Sequence, residues 1–84
     1  MREADVKKFL RGRYPMLIEL ALKYARLTDK EKQIVDFCIT RGMTQAEAAE
    51  KLGLDDKTIQ RRYRSAMKGM CEKFDDLTWI IKVI

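Results

Sequence analysis

Two tetrads constrain this chain more than any other feature of it: Thr28-Asp29-Lys30-Glu31 and Thr44-Gln45-Ala46-Glu47. In each, the threonine oxygen can accept from the N–H three residues on, while the glutamate reaches back to the threonine's own N–H. They mark two helix starts, and a glycine follows each as a stop: Gly42 for the first helix and Gly53 for the second. With one proline in 84 residues and no asparagine, little turn chemistry is left for hairpins. The fold class read from this is all-α, a small bundle of about five helices.

The remaining helices follow from periodicity and punctuation. A first helix over 4–11 carries Val6, Phe9 and Leu10 on one side, and Gly12 follows it. Pro15 suits the first turn of a second helix over 15–27, which is expected to bury Leu17, Leu20, Ala21 and Tyr24 at i, i+3, i+4, i+7 spacing. The third carries Ile34, Val35, Phe37, Cys38 and Ile39, and the fourth is short, ending at Gly53. Asp55 is the N-cap of a fifth, long helix reaching Phe74. The apolar segment 77–84 is too short for periodicity to assign. It is expected to dock either against the Val6, Phe9, Leu10 helix or against a second subunit, which would make a homodimer. The expected organisation is one domain over 1–84, with a core at 28–74, N-terminal helices at 4–27 and the apolar segment at the end.

Composition narrows the chemistry. Eighteen Lys and Arg against thirteen Asp and Glu leave a net charge of +5, which favours a polyanionic partner. Without histidine, and with only Cys38 and Cys71, the chain lacks the usual zinc ligand set and any His-activated nucleophile. Its glycines are isolated, so no phosphate-cradling loop is present. A non-enzymatic protein without a cofactor is expected. The two cysteines, like Met43, Met67 and Met70, read as apolar filler of a reduced protein. The charged first residues do not form a signal peptide, and no apolar run approaches the roughly 20 residues of a membrane span. A cytoplasmic location without membrane contact is the expectation.

The strongest functional signal is a short helix, a turn at Gly53 and a longer basic helix, the anatomy of a helix-turn-helix. Ala48 and Ala49 are small where two helices must approach, and Leu52, Leu54 and Ile59 are apolar where they share a core. Turning about 100° per residue from Lys57, the side chains of Gln60, Arg61, Arg64 and Lys68 fall within about 60° of it. Ile59, Tyr63, Ala66, Met70 and Phe74 fall on the opposite side, at about 180° to 260°. Between positions 57 and 68 there are five basic residues (Lys57, Arg61, Arg62, Arg64, Lys68) and no acidic one, whereas 30–54 holds four of each sign. The positive charge is therefore concentrated on one helix.

The residues Leu27-Thr28-Asp29-Lys30-Glu31, Met43-Thr44-Gln45-Ala46-Glu47-Ala48-Ala49-Glu50-Lys51-Leu52-Gly53-Leu54 and Lys57-Thr58-Ile59-Gln60-Arg61-Arg62 resemble the helix-turn-helix of region four of bacterial sigma factors. The stretch 57–70 is also similar to the DNA-binding domain of LuxR-type regulators. The resemblance implies a sequence-specific double-stranded DNA-binding protein of transcription regulation, bacterial or from a bacteriophage. It places groove contacts at Asp56, Lys57, Gln60, Arg61 and Arg64, and it brings in RNA polymerase as a candidate partner. The chemistry fits these positions. Arg61 and Arg64 can pair bidentately with guanine and Gln60 with adenine, each pair worth about 1 to 3 kcal/mol of discrimination. Lys57 suits base or phosphate, while Arg62 and Lys68 suit phosphate. Thr44 and the amides around Gln45, at a helix N-terminus, suit a phosphate of the neighbouring strand. Asp55 and Asp56 also read as cap and dipole complement. Arg62 stands where many helix-turn-helix proteins place an apolar residue, and Tyr63 is expected to complete the core in its stead. Lys7, Lys8, Arg11 and Arg13 form a second basic cluster that serves either phosphate contact or solvation. Two other readings remain: a phage DNA-packaging or recombination subunit, and an adaptor that binds RNA polymerase through its apolar tail.

Overall fold

Both tetrads close as reciprocal caps in a computed structural model that describes residues 1–12 and 14–77. The Thr28 Oγ1 accepts from the Glu31 amide at 3.2 Å and the Glu31 carboxylate accepts from the Thr28 amide at 3.0 Å. At the second box the Glu47 amide donates to the Thr44 Oγ1 at 3.1 Å, and the Thr44 amide donates to the Glu47 carboxylate at 3.3 Å. Each box satisfies amides that a helix start leaves without partners.

Among the described residues the architecture is all-α, with five α-helices and no strand. They are α1 (Glu3–Leu10), α2 (Pro15–Tyr24), α3 (Asp29–Val35), α4 (Gln45–Leu52) and α5 (Asp56–Phe74). Helix α3 runs on without a break into a π-helical turn, Asp36–Thr40, and α5 into a 3₁₀ turn, Asp75–Leu77. The wider turn shows in the Arg41 amide, which donates to the Asp36 carbonyl at 2.9 Å. The Arg41 side chain braces it, with Nε 3.0 Å from the Asp36 carboxylate and the guanidinium over the Phe37 ring. Gly42, at φ +70°, then turns the chain away.

Two adjoining cores result. The larger joins Val6 and Leu10 of α1, Ala21 of α2, Ala25, Leu27, Val35, Ile39, and Ala66, Met67, Met70 and Phe74 of α5. Phe9 meets Phe74 edge to face, with ring centroids 5.7 Å apart. The smaller joins Ile34, Ala48, Ala49 and Ile59, so it lies between α3, α4 and the first turn of α5. Tyr63 and Cys38 pack against both. Helix α5 thus rests its first half on one core and its second half on the other.

The second helix departs from its sequence expectation in two ways. It ends at Tyr24 rather than near residue 27, because Arg26 takes a left-handed backbone, φ +56°. Its inward face is also rotated: Ile18, Ala21, Leu22 and Ala25 meet the core, while Leu20 and Tyr24 point outward, 60% and 45% exposed. Met16, Leu17, Ile18, Leu20, Ala21 and Leu22 are all apolar, so spacing alone offers several faces. Helix α1 and the segment after Leu77 complete the comparison: α1 lies one residue earlier than 4–11, and of the segment 77–84 only Leu77 is described, packed against the larger core. The rest of that segment lies outside the described residues, as does Arg13.

Candidate nucleic-acid interface

The turn between α4 and α5 sets the geometry of the interface. Gly53, at φ +67°, follows α4 in the left-handed region, which only glycine enters without a Cβ penalty. The Leu54 amide donates back to the Ala49 carbonyl at 2.9 Å and the Gly53 amide to the Glu50 carbonyl at 3.4 Å, the paired closure of a Schellman turn. Two residues later Asp55 opens α5, its carboxylate accepting from the Thr58 amide at 2.7 Å. Hydrogen bonds from Thr58, side chain and backbone, with the Arg61 charge nearby, hold the Asp55 carboxyl below the usual carboxylate range.

Ala48 and Ala49 are buried where α4 meets α5, together with Ile59. Any larger side chain there would push the helices apart. So fixed, α5 turns its apolar side to the two cores and its cationic side outward. Lys57, Gln60, Arg61, Arg64 and Lys68 are all exposed, while Ile59, Ala66, Met67, Met70 and Phe74 are buried and Tyr63 is half-buried. Tyr63 bridges the cores as the sequence requires, and burial pushes its phenol pKa up.

The structure brings Gln45, Gln60 and Arg64 to one open depression, whose other walls are Glu3, Tyr63 and Met67. The start of α4 therefore lies beside the outward face of α5. Asp56 is exposed in the first turn of α5. The remaining candidates sit differently. The Thr44 hydroxyl is engaged within its own cap, for it accepts from the Glu47 amide and donates to the Glu47 carboxylate at 3.1 Å. That leaves Gln45 as the free side chain at this helix start. Arg62 is half-buried on the flank of α5, and its Nε is enclosed without a hydrogen-bond partner. Its aliphatic stem lies along the protein, as long cationic side chains commonly do.

Sequence reasoning missed Glu3. Nothing in its neighbourhood signals a role, because its position beside Gln60 and Arg64 depends on how α1 packs across α5. Of the second basic cluster, Lys8 and Arg11 are exposed and Lys7 is half-buried, with Arg11 Nε donating to the Ile39 carbonyl at 3.1 Å. Cys38 and Cys71 are free and half-buried, and burial raises both thiol pKa values. Both pack against the larger core, as apolar filler does. No helix among the described residues is long and apolar enough to cross a membrane.

Comparison with family models matches residues 25–70 to sigma-70 region 4. That span is more than half of the chain and contains both capping boxes, the glycine turn and the cationic part of α5. The chain belongs to the sigma-70 region 4 family. It therefore carries a DNA-binding helix-turn-helix of the kind that acts in transcription regulation. The LuxR-type likeness receives no separate support. No curated protein and no solved structure matches the chain.

Proposed function

We propose that this sigma region 4-like protein binds double-stranded DNA sequence-specifically, in a bacterial or bacteriophage transcription system, and catalyses no reaction. The observation that carries the reading is the two-sided nature of α5: Lys57, Gln60, Arg61, Arg64 and Lys68 are exposed on a helix whose other side is fixed in two cores. A helix held this way can enter the major groove without disturbing the fold. In this reading Arg61 and Arg64 read guanine and Gln60 reads adenine. Lys57 serves base or phosphate and Asp56 stands at the entry of the groove. Arg62 and Lys68 hold flanking phosphates, and Gln45 with the α4 amides holds the neighbouring strand. RNA polymerase is the protein partner that family membership favours, and such a role belongs to the cytoplasm.

Selection of bound duplexes from a random pool tests the reading. The expected result is a recovered motif whose guanines lose their selection in Arg61→Ala and Arg64→Ala. Retention of duplexes without any recovered motif would overturn sequence specificity. Retention that does not weaken with added salt would overturn DNA binding through these cations, since each neutralised phosphate contributes about 0.9 to the slope of log K against log salt.

A further inference from the structure

One carboxylate, that of Glu3, lines the depression in which Gln60 and Arg64 meet Gln45. Glu3 lies outside the span 25–70 that matches the family, and α1 carries it to this place. It precedes Val6 and Leu10 by three and seven positions, so it stands in line with the two residues of α1 that the larger core buries. The burial of those two fixes where Glu3 stands, yet Glu3 itself is exposed. Its charge reaches α5, where it adds to the larger rise that burial gives the Tyr63 phenol and the Cys71 thiol.

Among the described residues neither Glu3 nor Gln45, Gln60 or Arg64 has an ion-pair or side-chain hydrogen-bond partner. The depression therefore offers an incoming duplex an unused acceptor on one wall and unused donors on the other. An ionised carboxylate can only accept. Phosphates repel it, and so do the guanine O6 and N7 and the thymine O4 on the floor of the major groove. The groups there that suit it are the exocyclic amino groups, N4 of cytosine and N6 of adenine. Arg64 paired bidentately fills the edge of its own guanine, so a group that comes from α1 at the side of α5 meets a neighbouring base pair.

We infer that Glu3 is a specificity-determining residue of the DNA interface: its carboxylate accepts from a cytosine or adenine amino group on a base pair adjoining the one that Arg64 reads, and rejects guanine and thymine there. The inference rests on the reading of α5 as the helix that enters the groove. It adds a contact from outside the helix-turn-helix, and one that acts mainly by exclusion.

Selection of bound duplexes by the parent chain and by Glu3→Gln tests it. Glutamine keeps the shape of the side chain but carries a donor as well as an acceptor, so it suits all four bases. In the parent motif, a position adjoining the guanine that depends on Arg64 is expected to hold cytosine or adenine, and the base recovered tells which amino group is bound. In Glu3→Gln that position should admit thymine and guanine while the rest of the motif stays. Replacing the amino-bearing base by thymine should weaken the parent about tenfold, as the loss of a hydrogen bond to a charged group does, and Glu3→Gln far less. An identical motif from parent and variant overturns the inference. So does tighter binding of every duplex in the same order of preference, which would make Glu3 a source of repulsion alone. Relaxation at the Arg64-dependent guanine itself also overturns it, since Glu3 would then act through Arg64. In these three outcomes the parent motif stands, and with it the reading of α5; a parent that recovers no motif overturns both.

Discussion

At the scale of single residues, the two positions with the clearest energetic consequence are backbone decisions. Arg26 holds a left-handed backbone just after α2, a conformation for which helix ends usually employ glycine. For a residue with a Cβ this costs about 1 to 2 kcal/mol, and glycine gives back about 0.4 to 1 kcal/mol through its freer unfolded chain. Arg26→Gly is therefore expected to stabilise the fold by about 0.5 to 1 kcal/mol, measurable by urea unfolding. Asp55 is the other position. Its folded-state pKa is lowered, first by Thr58 and then by Arg61, so its contribution is present above the unfolded value and is lost as pH falls through the folded one. Asp55→Asn keeps an acceptor for the Thr58 amide but cannot titrate. Its unfolding midpoint should change less than the parent's between neutral pH and about pH 3, below the ordinary carboxylate range. Equal acid sensitivity of parent and variant would show that other carboxylates govern the acid limb.

At the scale of elements, what was legible in the sequence is what is decided locally. Both capping boxes, the Gly42 and Gly53 stops and the Asp55 cap depend on residues within a few positions of one another, and all of them form. The two faces of α5 were legible as well, because charge and apolar residues alternate there at helical spacing. Helix α2 is apolar nearly all round, so no spacing singles out the face that α5 covers. The π turn at Asp36–Thr40 was not legible either, since it depends on how Ile39 reaches the larger core while Ile34 serves the smaller one. The same distinction applies to the helix-turn-helix. Ala48 is 0% exposed at the contact of α4 with α5, whereas Ala46, two residues away, faces solvent. Ala48→Leu is expected to destabilise by about 1 to 3 kcal/mol through overpacking. Ala46→Leu should stay within about 0.5 kcal/mol of the parent. Because Ala48→Leu also tilts α5, its DNA affinity should drop even in conditions where circular dichroism shows it folded.

At the scale of the whole molecule, the net charge of +5 is less informative than its placement. The stretch 30–54 is neutral, and five cations stand between 57 and 68. Lys57, Arg61, Arg64 and Lys68 stand exposed on one side of α5 with no carboxylate between them in sequence, an array suited to a duplex, whereas the same charges spread evenly would only make the protein sticky. Position along α5 then separates two kinds of cation. Arg64 lies beside Gln60 and Gln45 at the open depression, in the middle of the outward face. Lys68 is exposed a turn further along, and in the proposed reading it meets the backbone of the duplex rather than a base. Lys68→Ala should weaken every duplex alike and lower the salt slope by about 1, leaving the order of preferred sequences unchanged. Arg64→Ala should cost about 1 to 3 kcal/mol on the selected site and much less on random DNA, so that the ratio of specific to non-specific affinity contracts. Titrations of both variants against a selected and a scrambled duplex, at several salt concentrations, distinguish the two roles. If both variants lost affinity equally on the two duplexes, α5 would be acting through charge alone, and the sequence-reading role of its outward face would be wrong.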